Sequence, residues 1–388
     1  MDGRKTLGGR ECPVHRGVRT LADGTRRVGS FEVAEQVMRS RDAVRQAGFN
    51  AELVAQIPPS IRPPVLHAEG KLHRKMRTTS ARYFTPKATA GYRDLMESFA
   101  DEIVAEFREH GEGDLSLMGL RMAAHVTRHV LGLTESDVAG FERRFDAAIT
   151  RDADSDSKLV AAGRKLLRRA SLLNLYLKDI RPAVRVRKKF PREDLISNLI
   201  ELDYSPIEML IECLMYGVAG VLTTREFICA CMLHFHDDPP LRAQFRAGDA
   251  EERKAILYEI LRVEPIVGAL HRRTTRPLTI ETPDGPVEVP EGQRLDIDVY
   301  AVNADPAIVG PDPERVCPHR DLGEHRQPIY SFGAGPHRCP GEWIAMQETE
   351  ILLRKLLELE TIEVVKLPTM GINPAIEGYE LRGFILRC

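Results

Sequence analysis

The amino-acid sequence predicts a mainly α protein with small β regions, built as a single domain. Apolar residues recur at helical spacing in four stretches: residues 99–131, 165–177, 194–202 and 206–235. Strand-like alternation beside turn signals is confined to residues 24–31 and 278–297. No internal repeat, low-complexity segment or Gly/Ser linker divides the 388 residues. We therefore expect one domain over residues 1–388, with residues 1–19 as an irregular N-terminal segment.

Each predicted element has a local reason. The sequence Thr-Pro-Asp-Gly-Pro predicts a hairpin turn between Ile280 and Val289. The stretch 206–235 would be about 45 Å long as one helix, enough to cross the domain. Residues 302–335 are rich in Pro, Gly, Asp and Arg without a period, too long for an ordinary loop, which predicts a functional segment. A last helix, residues 341–357, follows that segment.

The composition argues against several kinds of partner. The chain has 55 Lys and Arg against 57 Asp and Glu, a formal net charge of −2, so no basic excess predicts nucleic-acid binding. It lacks the run of about 18 apolar residues that marks a membrane span, and its start lacks the apolar core of a signal peptide. Seven scattered cysteines, an odd number, make a poor disulfide framework. We expect a cytoplasmic protein with no membrane anchor.

Cys339 is the residue most suggestive of chemistry. It lies among glycines and prolines in Phe-Gly-Ala-Gly-Pro-His-Arg-Cys-Pro-Gly, residues 332–341, directly before the last predicted helix. The positive end of a helix dipole, with His337 and Arg338 nearby, favours a thiolate over a thiol. A thiolate there is a candidate nucleophile or iron ligand, although the sequence identifies no His–Asp relay to serve a nucleophile.

This loop resembles the haem-binding loop of the cytochrome P450 family. Phe332, Gly335, Cys339 and Gly341 stand at the fixed positions of the family's motif. The resemblance implies the cytochrome P450 fold, with a long central helix over the haem. It also implies haem b as cofactor and Cys339 as the axial ligand of its iron.

A second motif is the Glu-Ile-Leu-Arg sequence that begins at Glu259. Glu259 and Arg262 are three residues apart on one helical face and can pair. In the family this structural ion pair binds an arginine ahead of the cysteine loop, and Arg320 is at the matching place, although Val316 replaces the usual phenylalanine. Without the resemblance, a solvated surface pair would be the simpler interpretation.

A third motif is Ala-Gly-Val-Leu-Thr-Thr-Arg-Glu-Phe, in the middle of the long predicted helix. Glycine costs helix stability, so Gly220 needs a reason. The resemblance implies that Ala219 contacts the haem, that Gly220 opens a groove for dioxygen over the iron, and that Thr223 assists proton delivery. The alternative is that the Thr223 hydroxyl bonds back onto its own helix.

A fourth set consists of cations. His73 and Arg77 are four apart on one helical face, and their counterparts in the family bind a haem propionate. The resemblance gives Arg272 and His337 the remaining propionate positions, with Arg273 as a near alternative to Arg272.

The sequence departs from the family at Leu222, where Asp or Glu is usual. Leucine cannot carry a proton, so the ordinary relay is in doubt. Three interpretations compete: recruitment of Glu226 one turn along, a water chain or substrate group in place of the acid, or direct use of peroxide. We rank water or substrate assistance first, since Glu226 is more simply a salt-bridge partner of Arg225 or of a residue elsewhere.

The resemblance implies a monooxygenase of secondary metabolism that inserts one oxygen atom from O2 into a small apolar organic substrate. Electrons would come from NAD(P)H through a separate ferredoxin or flavodoxin, docked beside Lys71, Arg74, Lys75 and Lys87. The alternatives are a peroxygenase, a coupling or isomerising haem-thiolate enzyme, and a non-catalytic haem sensor. By analogy, substrate contacts would come from residues 50–66, 147–177, 218, 221, 266–270 and 372–379.

Overall fold

Helices form most of the molecule, and small sheets lie around them. The computed structural model describes residues 17–388 except 41, 50, 150–166, 168, 323–329 and 374–377. The α-helices are α1 (Phe31–Arg39), α2 (Ala51–Val54), α3 (Gly70–Ser80), α4 (Pro86–Gly91), α5 (Arg93–His110), α6 (Leu115–Leu131), α7 (Val138–Ile149), α8 (Arg181–Lys189), α9 (Leu195–Glu201), α10 (Pro206–Asp237), α11 (Pro239–Ala247), α12 (Ala250–Val263), α13 (Val299–Asn303), α14 (Pro306–Val309) and α15 (Glu342–Leu357). The strands are β1 (Val18–Thr20), β2 (Arg26–Val28), β3 (Val44–Gln46), β4 (Glu112–Asp114), β5 (Ala269–Thr274), β6 (Leu278–Ile280), β7 (Val287–Val289), β8 (Arg294–Asp298), β9 (Glu363–Lys366), β10 (Thr369–Asn373), β11 (Gly378–Arg382) and β12 (Ile385–Arg387).

Helix α10 is one continuous helix of 32 residues, which confirms the predicted spine. It begins with a capping box, in which Glu208 Oε2 accepts a hydrogen bond of 2.7 Å from Ser205 N, and with Pro206 in the first turn. It packs along α6, where a Cβ on Gly119 would lie 3.4 Å from Ile228 Cδ1. Small residues therefore let the two helices approach closely.

By length and composition alone, α10 could also cross a membrane. Its apolar character has another explanation here. Residues such as Cys229 and Phe235 are buried in the core, while Met215, Val218 and Leu222 line an interior cavity. A core helix that also forms a cavity wall is apolar on most sides without any lipid.

The periodic stretch 99–131 forms two helices, α5 and α6. Gly111 ends α5 in the left-handed conformation, with φ of 71°. Asp114 then caps α6, accepting a hydrogen bond of 2.8 Å from Ser116 N. The stretch 165–177 lies partly outside the described residues. Its described part is helical from residue 169 and continues into a π-helix, Tyr176–Ile180.

The main sheet has the strand order β1-β2-β8-β5-β3. Strands β2 and β8 are parallel, and the other pairs are antiparallel. Strands β6 and β7 pair from Leu278 with Val289 to Ile280 with Val287, which confirms the predicted hairpin. The predicted strand over 24–31 is wrong at its end. There α1 begins at Phe31, since Phe31, Ala34, Val37 and Met38 repeat at helical spacing and are buried.

The molecule has two apolar cores among its described residues. The larger lies among the helices, and the smaller lies between α1 and the main sheet. Tyr330 belongs to the smaller core, and Phe332 packs against the larger. The segment leading to Cys339 therefore runs from one core to the other and reaches the cavity between them.

Candidate haem site

The candidate site is a cavity of about 730 Å³ lined by residues of α3, α10, α15, β5 and the cysteine loop. Its wall is mostly apolar, with residues such as Leu66, Leu214, Val218, Ile266 and Leu270. This size and lining suit a bound organic molecule. All but one of the predicted substrate segments contribute wall residues from their described parts: Val65, Ala148, Leu172, Val218, Ile266 and Asn373. The exception is Val221, which is fully buried in the core, while Leu222 faces the cavity instead.

The cysteine loop is held by its own backbone. Cys339 N donates to Phe332 O at 2.8 Å, and Gly333 N donates to Tyr330 O at 2.8 Å. Gly335 has φ of 68°, and a Cβ there would lie 2.9 Å from Met38 O of α1. Phe332 and Gly341 line the cavity, but Gly335 lies outside its wall and shapes the loop instead.

Cys339 itself opens into the cavity. The accessible surface of Cys339 faces the cavity. The surrounding protein nevertheless reduces the hydration of the thiol. This desolvation raises the pKa of the thiol, although the Gly341 N–H and the Arg77 charge act in the opposite direction. The predicted influences are present, since the Gly341 N–H and the charges of Arg77 and Arg338 all favour the thiolate, but burial outweighs them.

The structure brings all four predicted cations to the cavity wall. They are His73 and Arg77 of α3, Arg272 of β5 and His337 of the cysteine loop. The rings of His73 and His337 lie 4.2 Å apart between centroids. Burial, with the His337 and Arg77 charges, lowers the pKa of His73 to about 4. Its buried Nε2 has no hydrogen-bond partner within the described part of the chain.

The structure also decides between Arg272 and Arg273. Arg272 is buried, and its Nη1 donates to the Gln46 side chain and to His271 O at 2.8 Å, both uncharged groups. Burial lowers its pKa to about 10. Arg273 donates to Gly292 O and does not reach the cavity.

Sequence reasoning missed Glu69, the residue before α3. Its Oε1 accepts from Gln46 N at 2.9 Å, and its Oε2 lies 3.3 Å from His337 Nε2. Glu69 therefore ties β3 to the cysteine loop and orients His337. No local motif identifies Glu69 as a site residue, because its partners are far away in the sequence.

The third motif presents Ala219, Gly220, Leu222 and Thr223 to the cavity. Thr223 Oγ1 donates to Ala219 O at 2.6 Å, so the bond back onto the helix is present. A Cβ on Gly220 would lie 3.1 Å from Thr127 Oγ1 of α6. The packing of α6 against α10 is thus a reason for glycine at this position, and the dioxygen groove stays a prediction.

The structural ion pair lies beside the site. Arg262 Nε and Nη2 donate to the two oxygens of Glu259 at 2.7 and 2.9 Å. Arg320 Nε approaches Glu259 Oε2 at 3.4 Å. Arg262 also donates to three backbone carbonyl oxygens between Asn303 and Arg315, so the buried cluster holds the irregular segment in place.

Comparison with known proteins bears on this constellation. A family model described as cytochrome P450 matches residues 253–371. Cyclomarin C epoxidase CymV of Salinispora arenicola is 28% identical over 309 residues, which cover 76% of this chain and 73% of that protein. Cytochrome P450 CYP105Q4 of Mycobacterium marinum is 26% identical over 363 residues, which cover 90% and 81%. The crystal structure of cytochrome P450 CYP109B1 from Bacillus subtilis has a TM-score of 0.78 at 21% identity, with 96% and 95% covered.

The chain belongs to the cytochrome P450 family. The predicted cytochrome P450 fold is confirmed. The protein is a haem-thiolate monooxygenase, and its cofactor is haem b. Enzymes of this family act on organic substrates with O2 and redox partners.

The residues of this cytochrome P450 fit haem b. The cofactor carries two carboxylates and an iron that accepts a thiolate. The orphaned Nε2 of buried His73 and the buried guanidinium of Arg272, with only uncharged hydrogen-bond partners, are groups that carboxylates would satisfy. They share one cavity with the Cys339 thiol.

Glu226 is fully engaged elsewhere. Its Oε1 accepts from Arg225 Nε at 3.0 Å and from Arg382 Nη1 at 2.7 Å, and its Oε2 accepts from Leu381 N at 2.8 Å. It does not line the cavity. Glu226 therefore holds β11 against α10 and is a poor replacement for the missing acid.

A second acid that sequence reasoning missed does line the cavity. Glu348 of α15 is buried and lies beside the Thr224 hydroxyl, and burial raises its pKa to about 8. Glu348 Oε2 and Thr224 Oγ1 have no well-formed hydrogen bond among the described residues, so their contact is loose. The signal in the sequence is weak, because an isolated glutamate on a helix is usually exposed.

Proposed function

We propose that Cys339 is the axial ligand of haem b in this enzyme and that the substrate is a small, largely apolar molecule. The observation that carries the proposal is the Cys339 thiol opening into a mostly apolar cavity whose wall also carries Arg77, Arg272 and two histidines, His73 and His337. A bound iron would hold the thiolate that burial alone disfavours.

His73, Arg77, Arg272 and His337 would hold the two carboxylates of the cofactor. Ala219 and Gly341 line the cavity and would contact it, and Gly335 lets the loop turn close to α1. Bound haem supplies the activation of O2 that leads to insertion of one oxygen atom into a C–H bond. The chain itself excludes water and orients the substrate.

Protons would reach the site through Glu348 and Thr224. Leu222 can hold no proton, whereas the raised pKa keeps Glu348 Oε protonated near pH 7. A water between Glu348 Oε2 and Thr224 Oγ1 would satisfy both orphaned atoms and extend the route towards the Thr223 hydroxyl. This is the water-assisted interpretation of Leu222.

Electrons would come from NAD(P)H through a ferredoxin or flavodoxin. Lys71, Arg74, Lys75 and Lys87 are exposed on α3 and α4, and none has an ion-pair partner within the described residues. This cationic surface lies near the propionate-binding side chains and suits an acidic redox protein. As an enzyme similar to cyclomarin C epoxidase, the protein would act in secondary metabolism, in the cytoplasm.

The test is ligation in the purified, haem-loaded protein. We expect the reduced protein with carbon monoxide to show the long-wavelength band of thiolate ligation. Cys339→Ser should abolish this band. Cys317→Ser is the matched control, because Cys317 is partly exposed and lies outside the cavity. An unchanged band in Cys339→Ser would refute the assignment of the ligand.

A peroxide-driven reaction is the second candidate, and Leu222 favours it. Product formation with hydrogen peroxide and no reductase, at a rate matching or exceeding the NAD(P)H-supported rate, would establish it. Turnover that requires a ferredoxin or flavodoxin would support the monooxygenase route. No product with either system, across substrates that bind, would favour a haem-binding sensor.

A further inference from the structure

The cavity has a second charged region besides His73, Arg77, Arg272 and His337. It is formed by Arg225 of α10 with Asn373, Glu380 and Arg382 of the β10–β11 hairpin, and we name it the arginine end. The proposed cofactor contacts use none of these residues. A charged region in a mostly apolar cavity needs a separate explanation, because burying charge is costly unless it is matched.

Arg225 is the most buried charge of the arginine end, with 8% of its surface exposed. Its Nε donates to Glu226 Oε1 at 3.0 Å, and that is its only hydrogen bond in the described structure. The two terminal nitrogens, Nη1 and Nη2, have no partner there. They are not sealed inside protein either, since Arg225 lines the cavity. Two donors of a nearly buried guanidinium therefore face the space where substrate binds.

Arg225 shares its carboxylate partner with a second arginine. Glu226 also accepts from Arg382 Nη1 at 2.7 Å and from Leu381 N at 2.8 Å, so one carboxylate serves two arginines. Glu380 pairs with Arg382 at 2.9 Å and is partly exposed to solvent. A carboxylate at Nη1 and Nη2 would give the two terminal nitrogens of Arg225 acceptors of their own. The planar fork of arginine suits two carboxylate oxygens.

The cavity wall next to Arg225 indicates the chemical character of the rest of the ligand. Ile211, Met215, Val218 and Leu222 precede it at spacings of three and four residues, so one stripe of α10 runs from apolar residues to a cation. We propose that Arg225 binds the carboxylate of the substrate, and that the substrate is an apolar carboxylic acid. This inference rests on the proposed function, because it names the substrate class of the same site.

The test compares matched acids and esters in the haem-loaded protein at pH 7.5, where a carboxylic acid is ionised. Dodecanoic acid and 4-cyclohexylbutanoic acid are titrated beside their methyl esters, by calorimetry and by the shift of the haem band. We expect at least one acid to bind about tenfold or more tightly than its ester, the usual size of a charge-assisted hydrogen bond.

Arg225→Gln should remove this preference by weakening the acid and leaving the ester unchanged, whereas Arg225→Lys should keep part of it. Glu226 retains Arg382 and Leu381 N as partners in both variants, so the helix contact survives. Arg121→Gln, on the outer side of α6, is the control for removal of one charge. No preference for either acid, or a preference that survives in Arg225→Gln, overturns the proposal. The carbon monoxide band separates the two failures: a normal band with no acid preference refutes only the substrate class, and loss of the band refutes the proposed function.

Discussion

The cofactor end and the proton region of the cavity are built in different ways. The cofactor end consists of His73, Arg77, Arg272, His337 and Cys339, which come from well-separated segments and stand at positions that the resemblance to the family predicts. The proton region consists of Leu222, Thr223, Thr224 and Glu348, where one motif residue is missing and one acid has no motif. The difference teaches that residues around a cofactor shared by a whole family can be found from local sequence motifs. The residues proposed to move protons come together only through tertiary packing.

The largest effect is expected for the Glu259–Arg262 ion pair, which lies outside the cavity wall. Glu259→Gln leaves the buried Arg262 without its paired charge, which should lower the free energy of unfolding by about 3 to 5 kcal/mol. Glu35→Gln, in the exposed pair with Arg39, should cost less than about 1 kcal/mol. Urea unfolding of both variants measures the contrast. Similar losses in the two would show that the Glu259 cluster is no more than a surface pair.

The next largest effect concerns the proton region. Glu348→Gln should lower O2-driven product formation by about a hundredfold, because the amide cannot release a proton to Thr224 or water. The thiolate spectrum and substrate affinity should stay unchanged. Leu222→Asp in the same chain should restore part of the rate by supplying the missing acid. A fully active Glu348→Gln variant would remove Glu348 from the route and leave substrate assistance or peroxide as explanations.

A smaller effect is expected for a single cation of the cofactor end. Arg272→Gln should weaken haem binding about tenfold, since a buried charge-assisted contact is lost. Arg273→Gln is the matched control on the same strand, because its side chain points to Gly292 O. Haem transfer to an acceptor protein measures both. Equal haem loss from the two variants would contradict the choice of Arg272.

Within a single pH unit, the smallest effect is a pH dependence of stability. The folded pKa of Glu348 is about 8, above the unfolded value of about 4.3, so the folded state binds more protons between those values. Stability from this group is full below the unfolded pKa and falls as pH rises, by at most about 1.4 kcal/mol per pH unit. Glu212 contributes in the same direction, with a pKa of about 8. Glu348→Gln should flatten the slope, and an unchanged slope between pH 5 and 8 would contradict the assignment.

The residues that meet at the cofactor end could be found from the sequence and those of the proton region could not, for physical reasons. The spacing of His73 and Arg77, and the glycines around Cys339, are local and visible in the chain. The position of α10 also followed from periodicity. The pKa of Cys339 did not, because desolvation depends on tertiary packing that no local charge pattern reports. Glu69, Arg225 and Glu348 were missed for the same reason, since their partners or the cavity come from distant segments.

The path of the cysteine loop between the two cores has a consequence for heating. Tyr330 is anchored in the core beside the main sheet, and Phe332 packs against the helical core. A cofactor bound at Cys339 would therefore link two apolar cores that can unfold at different temperatures. During a thermal ramp, the cofactor should be released when the less stable core unfolds. Bleaching of the haem band should therefore precede the loss of helical signal.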